Sequence, residues 1–278
     1  MGQNQSIDLI FDSIYPLVEN GNYDKAKELW MATERNYKMD QQEKYLFLIT
    51  ALENNDVKFY KKEMKNLIRF GGYHISQFDT AAVYRSNHLD LMEHKEVLSW
   101  TVEMSEKHHP KWIQENPKSH YVRQRCDYFI QRDQNFINLA VPACDSSDSC
   151  IQLRQEHYEK VAMMEASELA SFFIEIGGVA NNIDYGVDVY YPLLVVCHHI
   201  FECSEKTLNY AWSLLQPYFE KARLEGKIAS DIFYIYDEAL FLHTGFQYYG
   251  TYGDSPTIDE EGRKERMMRF KLKSYSLN

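Results

Sequence analysis

Apolar residues recur at intervals of three and four along most of this chain, between short stretches rich in glycine, asparagine and proline. That spacing places apolar side chains on one face of a helix, whereas a half-buried strand requires strict alternation. No alternating segment of any length occurs. The pattern therefore predicts an all-α fold, with at most a short extended piece at 246–252.

The first seventy residues contain two similar halves. ENGNYDKAKELW begins at Glu19 and ENNDVKFYKKEM begins at Glu53, an offset of 34 residues. That period is typical of tetratricopeptide repeats, in which two helices are joined by a turn. Asp40 predicts a capped helix start, and RFGG predicts a helix end at Gly71. We expect tetratricopeptide-like helical hairpins over 1–109, packed on the following domain because two repeats cannot bury a core alone.

A stretch with two prolines then divides the chain. Before it, helical periodicity covers 75–109, with an apolar stripe formed by Leu89, Met92, Val97, Leu98, Trp100 and Met104. HHPKWIQENPKSH at 108–120 interrupts this periodicity, because proline disfavours a continuing helix. We predict a helical domain over 119–255 and a basic tail over 256–278.

The second domain is predicted to consist of long helices. One stops at Pro142, and a longer one ends at Gly177. VDVYYPLLVVCHHIFEC at 187–203 is apolar on nearly all sides, which is typical of a central buried helix. Pro217 removes a backbone donor from the next helix, so we expect a kink there. The last long helix ends at Gly245.

The charge is unevenly distributed. The net charge is −11, but residues 263–273 hold six Lys or Arg and one Glu, which is +5 and leaves −16 for the rest. An acidic body disfavours nonspecific nucleic-acid binding, because phosphates require a positive face. We expect the basic tail to dock on the protein's own acidic surface or to stay solvated, with docking on a partner as the alternative.

Composition favours a cytoplasmic protein without cofactor or metal. Five cysteines form no dense framework, although Cys144 and Cys150 could close a small loop. The N-terminus has no signal-peptide pattern, and the longest apolar run, 189–197, is too short to span a bilayer. MGQNQS fits an acylation pattern at Gly2, but one acyl chain anchors only marginally, so we expect no stable membrane insertion.

Candidate chemistry rests on a few polar residues, because the sequence contains no nucleophile-elbow, phosphate-loop or zinc-protease motif. His198 and His199 end the most apolar helix and point about 100° apart. Asp237 lies among apolar residues, and a buried carboxylate requires a donor. His243 points about 120° away from Asp237, so we expect any Asp–His pair to join Asp237 to His199.

Several stretches of the second half occur in a characteristic order: RDQNFIN, a Gly-Gly turn at 177–178, Gly186, VVCHH, LLQPYFEKARLEGKI, YDEALFLHTG and QYYGT. In this order they resemble a family of uncharacterised bacterial proteins, a domain of unknown function, over about residues 119–255. The resemblance implies a site formed by Asp133, Gln134, His199, Asp237, Gln247, Tyr249, Gly250 and Thr251. The chain departs from the family at His198, Glu238 and Tyr252, and Glu238 removes an arginine partner from Asp237.

The segment GFQYYGTYGDSP at 245–256 contains more polar and aromatic groups than a helix end requires. We hypothesise that it lines a polar pocket with His199 and Asp237, and that Asp133, Gln134, Gln247, Tyr249 and Thr251 bind a ligand there. The favoured function is a non-catalytic binding protein that contacts another protein through the N-terminal hairpins or the acidic, tyrosine-rich surface. The alternative is a hydrolase-type enzyme with His199 as general base, oriented by Asp237.

Overall fold

A computed structural model describes residues 5–75, 94–140 and 148–274, without side chains at 137–151 and 154. In these ranges the chain is all-α, as predicted: no strand forms, and a single isolated bridge joins Gln247 to Thr257. None of the described helices is both long and apolar enough to cross a membrane. Predictions for Gly2, Leu89, Met92, Pro142 and the Cys144–Cys150 pair lie outside what is described.

The helices follow the chain in order. They are α1 Ser6–Leu9, a π-helical turn Ile10–Ile14, α2 Tyr15–Glu19, α3 Tyr23–Asn36, α4 Gln41–Glu53, α5 Val57–Phe70, α6 Lys95–Glu115, α7 Pro117–Ala140, α8 Asp148–Ile176, α9 Asn182–Tyr185, α10 Tyr190–Cys203, α11 Glu205–Leu224, α12 Asp231–Thr244 and α13 Glu260–Phe270.

The helices form two compact units, which do not follow the predicted domain boundaries. Unit 1 is Met1–Gln124 with Asn181–Val189, and unit 2 is Arg125–Ala180 with Tyr190–Asn278. Residues 108–120 do contain a helix end, but α6 continues through Pro110 to Glu115. The division falls later, within α7, and the described part of the basic tail belongs to unit 2.

The N-terminal hairpins of unit 1 pack around aromatic residues. The Trp30 ring stacks on Phe47 with 4.4 Å between the ring centroids, and Ala26 is fully buried beside this core. Asp40 caps α4 by accepting the backbone N–H groups of Gln42 and Glu43, as predicted. Helix α5 ends at Phe70 with Gly71 as its C-cap, also as predicted.

The π-helical turn before α2 has a local cause. Pro16 has no N–H, so the α-helical hydrogen bond to the carbonyl of Asp12 cannot form. The chain forms a wider turn over Ile10–Ile14, where the Tyr15 N–H donates to the Ile10 carbonyl. The spacing of apolar residues did not predict this turn.

The segment Asn181–Val189 completes unit 1. The Val187 N–H donates to the Gly71 carbonyl at 3.1 Å. The Arg123 guanidinium donates to the carbonyls of Gly72 at 2.8 Å and Val187 at 3.1 Å. These bonds tie residues distant in sequence into one turn, where Gly186 has φ +102° and a Cβ atom would collide with the Gly71 carbonyl.

Helix α10 is the centre of unit 2, as its apolar sequence predicts. Helices α8, α11 and α12 all pack against it. Pro217 lies inside α11, which continues to Leu224. The tail also contributes to this core, since Phe270 stacks on Phe233 at 5.8 Å and the Arg223 guanidinium donates to the carbonyls of Phe270 and Lys271, both at 2.9 Å.

Candidate functional site

Asp237, the predicted orienting carboxylate, is fully buried and binds the segment 245–256. Its Oδ1 accepts the N–H groups of Tyr248 at 2.8 Å and Tyr249 at 2.9 Å. Its Oδ2 accepts the Thr251 N–H at 2.9 Å and the Thr251 hydroxyl at 2.7 Å. A carboxylate has about four acceptor positions, and donors of this one segment occupy all of them.

Gln247 holds the other side of the same segment. Its Nε2 donates to the carbonyl of Ser255 at 2.6 Å, and its Oε1 accepts the Tyr252 N–H at 2.8 Å. The backbone N–H of Gln247 donates to the Pro256 carbonyl at 2.8 Å. Gln247 is fully buried, so its amide stabilises the turn instead of facing a ligand.

Tyr249 is likewise fully buried. Its hydroxyl donates to the Glu220 carboxylate at 2.7 Å and accepts the Gln216 amide at 3.2 Å. Burial, and after it the hydrogen bond to Glu220, raises the pKa of Tyr249 well above its usual value. The phenol therefore remains protonated and serves as a structural donor.

Helix α13 covers the outer side of the segment. The Arg266 guanidinium lies 3.9 Å from the centroid of the Tyr248 ring, and its Nε donates to the Tyr248 carbonyl at 3.0 Å. Gly250 has φ +89°, and a Cβ atom there would come within 2.6 Å of the Arg263 side chain. The predicted pocket-lining segment is thus an internally bonded structural element.

His199, the predicted general base, pairs with Asp133. Its Nδ1 lies 2.7 Å from Asp133 Oδ2, and the Gln134 amide donates to the same oxygen at 3.1 Å. The Asp133 side chain is 2% exposed and that of His199 is 22% exposed. The structure therefore joins three of the predicted site residues, from α7 and α10.

The His199 imidazole has one nitrogen available. In the described part of the chain, no hydrogen bond reaches Nε2, and the Tyr158 hydroxyl donates to the His199 backbone carbonyl at 3.2 Å. Burial lowers the pKa of His199, but the hydrogen bond and charge of Asp133, with Glu202 and Glu165, outweigh it and raise the pKa above its usual value. The pair therefore stabilises the protonated imidazole, so Nε2 can accept a proton only at a pH above this raised pKa.

The prediction that Asp237 orients His199 is wrong. Asp133 takes that position, because it approaches the imidazole from α7 while donors from 248–251 occupy both oxygens of Asp237. Among the described residues, no hydrogen bond or ion pair joins the cluster of Asp133, Gln134 and His199 to the cluster of Asp237, Gln247, Tyr249 and Thr251. The single predicted site is two separate groups of contacts.

Sequence reasoning also missed an open groove on unit 1. It has a volume of about 640 Å³ and is lined by residues 21–25 and 54–56, the turns of the two similar N-terminal halves. Asp56, one of its lining residues, binds Lys27, the Tyr23 hydroxyl at 3.1 Å and the Phe59 N–H at 3.1 Å. The repeat offset was the available signal, since it places these two turns at equivalent positions.

Comparison of the chain with protein-family models, curated proteins and solved structures found no match. The resemblance to a bacterial family and the tetratricopeptide-like assignment therefore stay predictions. Among the described residues, no group of three or more His, Cys, Asp or Glu side chains is arranged to hold a metal ion. The all-α fold, the groove and the Asp133–His199 pair are the basis for a functional proposal.

Proposed function

We propose that this chain is a non-catalytic binding protein that recognises a segment of another protein through its N-terminal hairpins. The observation that carries the proposal is the groove of about 640 Å³ between the turns of the two halves. Concave sites of this kind are the usual places where proteins hold ligands.

The chemistry of the groove suits a polar peptide segment. Exposed Asn22, Asn54 and Asn55 line it, and each carboxamide offers both donors and acceptors, as a peptide backbone does. Asp24 and Lys25, also exposed, add one charge of each sign. The bonds of Asp56 to Lys27 and Tyr23 hold this lining residue in place, so that binding does not have to order it.

Differential capture from native lysate tests this function. The double variant Asp24→Arg with Asn54→Arg fills the groove, whereas Glu103→Arg changes an exposed residue of α6 outside it. We expect the groove variant to lose partners that the wild-type chain and the Glu103→Arg variant both retain, at equal helix content by circular dichroism. The same set of captured proteins from all three chains would rule the groove out.

A second candidate function, a hydrolase-type enzyme with His199 as general base, is supported by the 2.7 Å contact between His199 and Asp133. A base must be held by an orienting group and present its second nitrogen to the substrate. In this version Asp133 replaces Asp237, whose oxygens are already occupied.

A further inference from the structure

We propose that Asp133 is a positioning residue, which holds the His199 imidazole so that Nε2 accepts a proton from a water molecule or small hydroxyl compound bound beside it. The inference rests on the second candidate function and concerns unit 2 alone. It assigns the reactive atom and its orienting group, and it does not depend on the groove of unit 1.

The hydrogen-bond geometry defines which nitrogen carries the hydrogen. An ionised carboxylate only accepts, so the 2.7 Å contact requires a hydrogen on His199 Nδ1. In the neutral imidazole, Nε2 then holds the lone pair. Asp133 in turn is held by the Gln134 amide at 3.1 Å and by its own burial, so the carboxylate has little freedom to turn away.

The backbone of His199 is also held in place. The Tyr158 hydroxyl on α8 donates to the His199 carbonyl at 3.2 Å, and the Phe136 ring stacks on Tyr158 at 5.5 Å. Helices α7 and α8 therefore both position the final turn of α10. A base held on rigid helices keeps its geometry when substrate binds.

Charged groups on three helices of unit 2 act on the imidazole. Glu202 on α10 and Glu165 on α8 act on His199 together with Asp133. Arg132 on α7 binds Glu165 at 3.0 Å and Glu168 at 2.6 Å, which offsets the negative charge of α8. Of the three carboxylates that act on His199, which are Asp133, Glu202 and Glu165, Asp133 also forms a hydrogen bond with the ring.

The neighbouring His198 is a matched control within the same helix. Its Nε2 lies 3.3 Å from Glu202, and the two side chains are 38% and 45% exposed. His198 thus contacts its carboxylate through Nε2, whereas His199 uses Nδ1, and the carboxylate that His198 contacts is exposed. Any property that comes merely from being a histidine at the end of α10 will be shared by both residues, whereas positioning by Asp133 affects His199 alone.

The experiment combines nitrogen-15 spectra of the histidine rings with modification by diethyl pyrocarbonate. Nε2 attacks a carbonyl carbon of the reagent, an N–C bond forms, a C–O bond breaks and ethyl carbonate leaves, while the Nδ1 hydrogen of the acylated ring passes to Asp133 or to solvent. We expect neutral His199 to carry its hydrogen on Nδ1, and we expect it to react faster than the more exposed His198. Both chains are compared at a pH above the raised pKa of His199, where the ring is neutral in each. In Asp133→Ala the hydrogen should then move to Nε2, and modification of His199 should slow several-fold.

The wild-type chain alone can overturn the proposal. A neutral His199 with its hydrogen on Nε2, or one that reacts no faster than His198, would show that Asp133 does not position the ring. An unchanged His199 spectrum in folded Asp133→Ala would have the same meaning. None of these three results affects the lysate capture by unit 1, so the two proposals fail independently.

Discussion

A carboxylate without exposed surface must find its donors inside the fold, and Asp237 finds them in the backbone of 248–251. Three amides and one hydroxyl point at it, so this one residue specifies the path of the segment after α12. The need for a donor could be predicted from the sequence, since aspartate among apolar residues is costly unless bonded. Which groups act as donors could not be predicted, because every residue except proline has a backbone N–H and residue type does not show which of them will bind the carboxylate.

Replacing Asp237 tests this role. In Asp237→Asn, an NH₂ group faces N–H groups that need an acceptor, so we expect a loss of about 2–4 kcal/mol in the free energy of unfolding. The exposed Asp254→Asn in the same segment should change it by less than about 0.5 kcal/mol. Urea denaturation of both variants provides the measurement, and equal stability of the two would refute the role assigned to Asp237.

The Asp133–His199 pair makes a prediction about pH. The pKa of His199 is raised in the folded state, so its stabilising effect is fully present below the unfolded value of about 6.5 and is lost as the pH rises through the folded value. The difference in unfolding free energy between the wild type and Asp133→Asn should therefore shrink from pH 6 upward. Urea denaturation over about pH 6–9 checks it, and a difference that does not change with pH would contradict the pairing.

At the scale of elements, sequence signals worked where the cause is local. Asp40 caps α4 and Gly71 ends α5, as predicted, because each bond lies within a few residues. The predicted partner of His199 was wrong. The observed partner, Asp133, lies 66 residues earlier in the chain, on α7. Helical periodicity indicates which face is buried and not which neighbour covers it.

The turn that follows α9 depends on a glycine. Gly186 has φ +102° and no space for a Cβ atom beside the Gly71 carbonyl, whereas Gly21 has φ +70° and open space around it. We expect Gly186→Ala to cost more than about 3 kcal/mol, from backbone strain plus collision, and Gly21→Ala to cost about 1–2 kcal/mol, from strain alone. Thermal unfolding of the two variants decides, and similar costs would mean that the collision is relieved.

At the scale of the whole molecule, net charge said little about the C-terminal tail. A run of basic residues predicts a segment that is solvated or docked on the protein's own acidic surface, and it does not predict that α13 contributes Phe270 to the core of unit 2. Its arginines also have specific partners, as Arg266 binds Asp259 at 2.9 Å. One apolar residue in a charged helix is a weak signal, and the core it joins is assembled from distant helices.

Two apolar residues of α13, one buried and one exposed, test whether packing in the core holds this helix in place. Phe270 is 3% exposed and Met268 is 77% exposed. We expect Phe270→Ala to cost about 3–5 kcal/mol through the cavity it leaves, and Met268→Ala to be nearly neutral. Calorimetric melting of both variants is the measurement, and a neutral Phe270→Ala would place the tail outside the core.

The return of 181–189 to unit 1 has a consequence for the order of events on the ribosome. When Gln124 has left the exit tunnel, the donor for the Gly71 carbonyl, Val187, has yet to be translated. The hydrogen bond from Val187 to Gly71 in unit 1 therefore cannot form until the intervening residues 125–180 have also been synthesised. A fragment that ends at Gln124 would lack this hydrogen bond permanently, even though it contains all the groove residues.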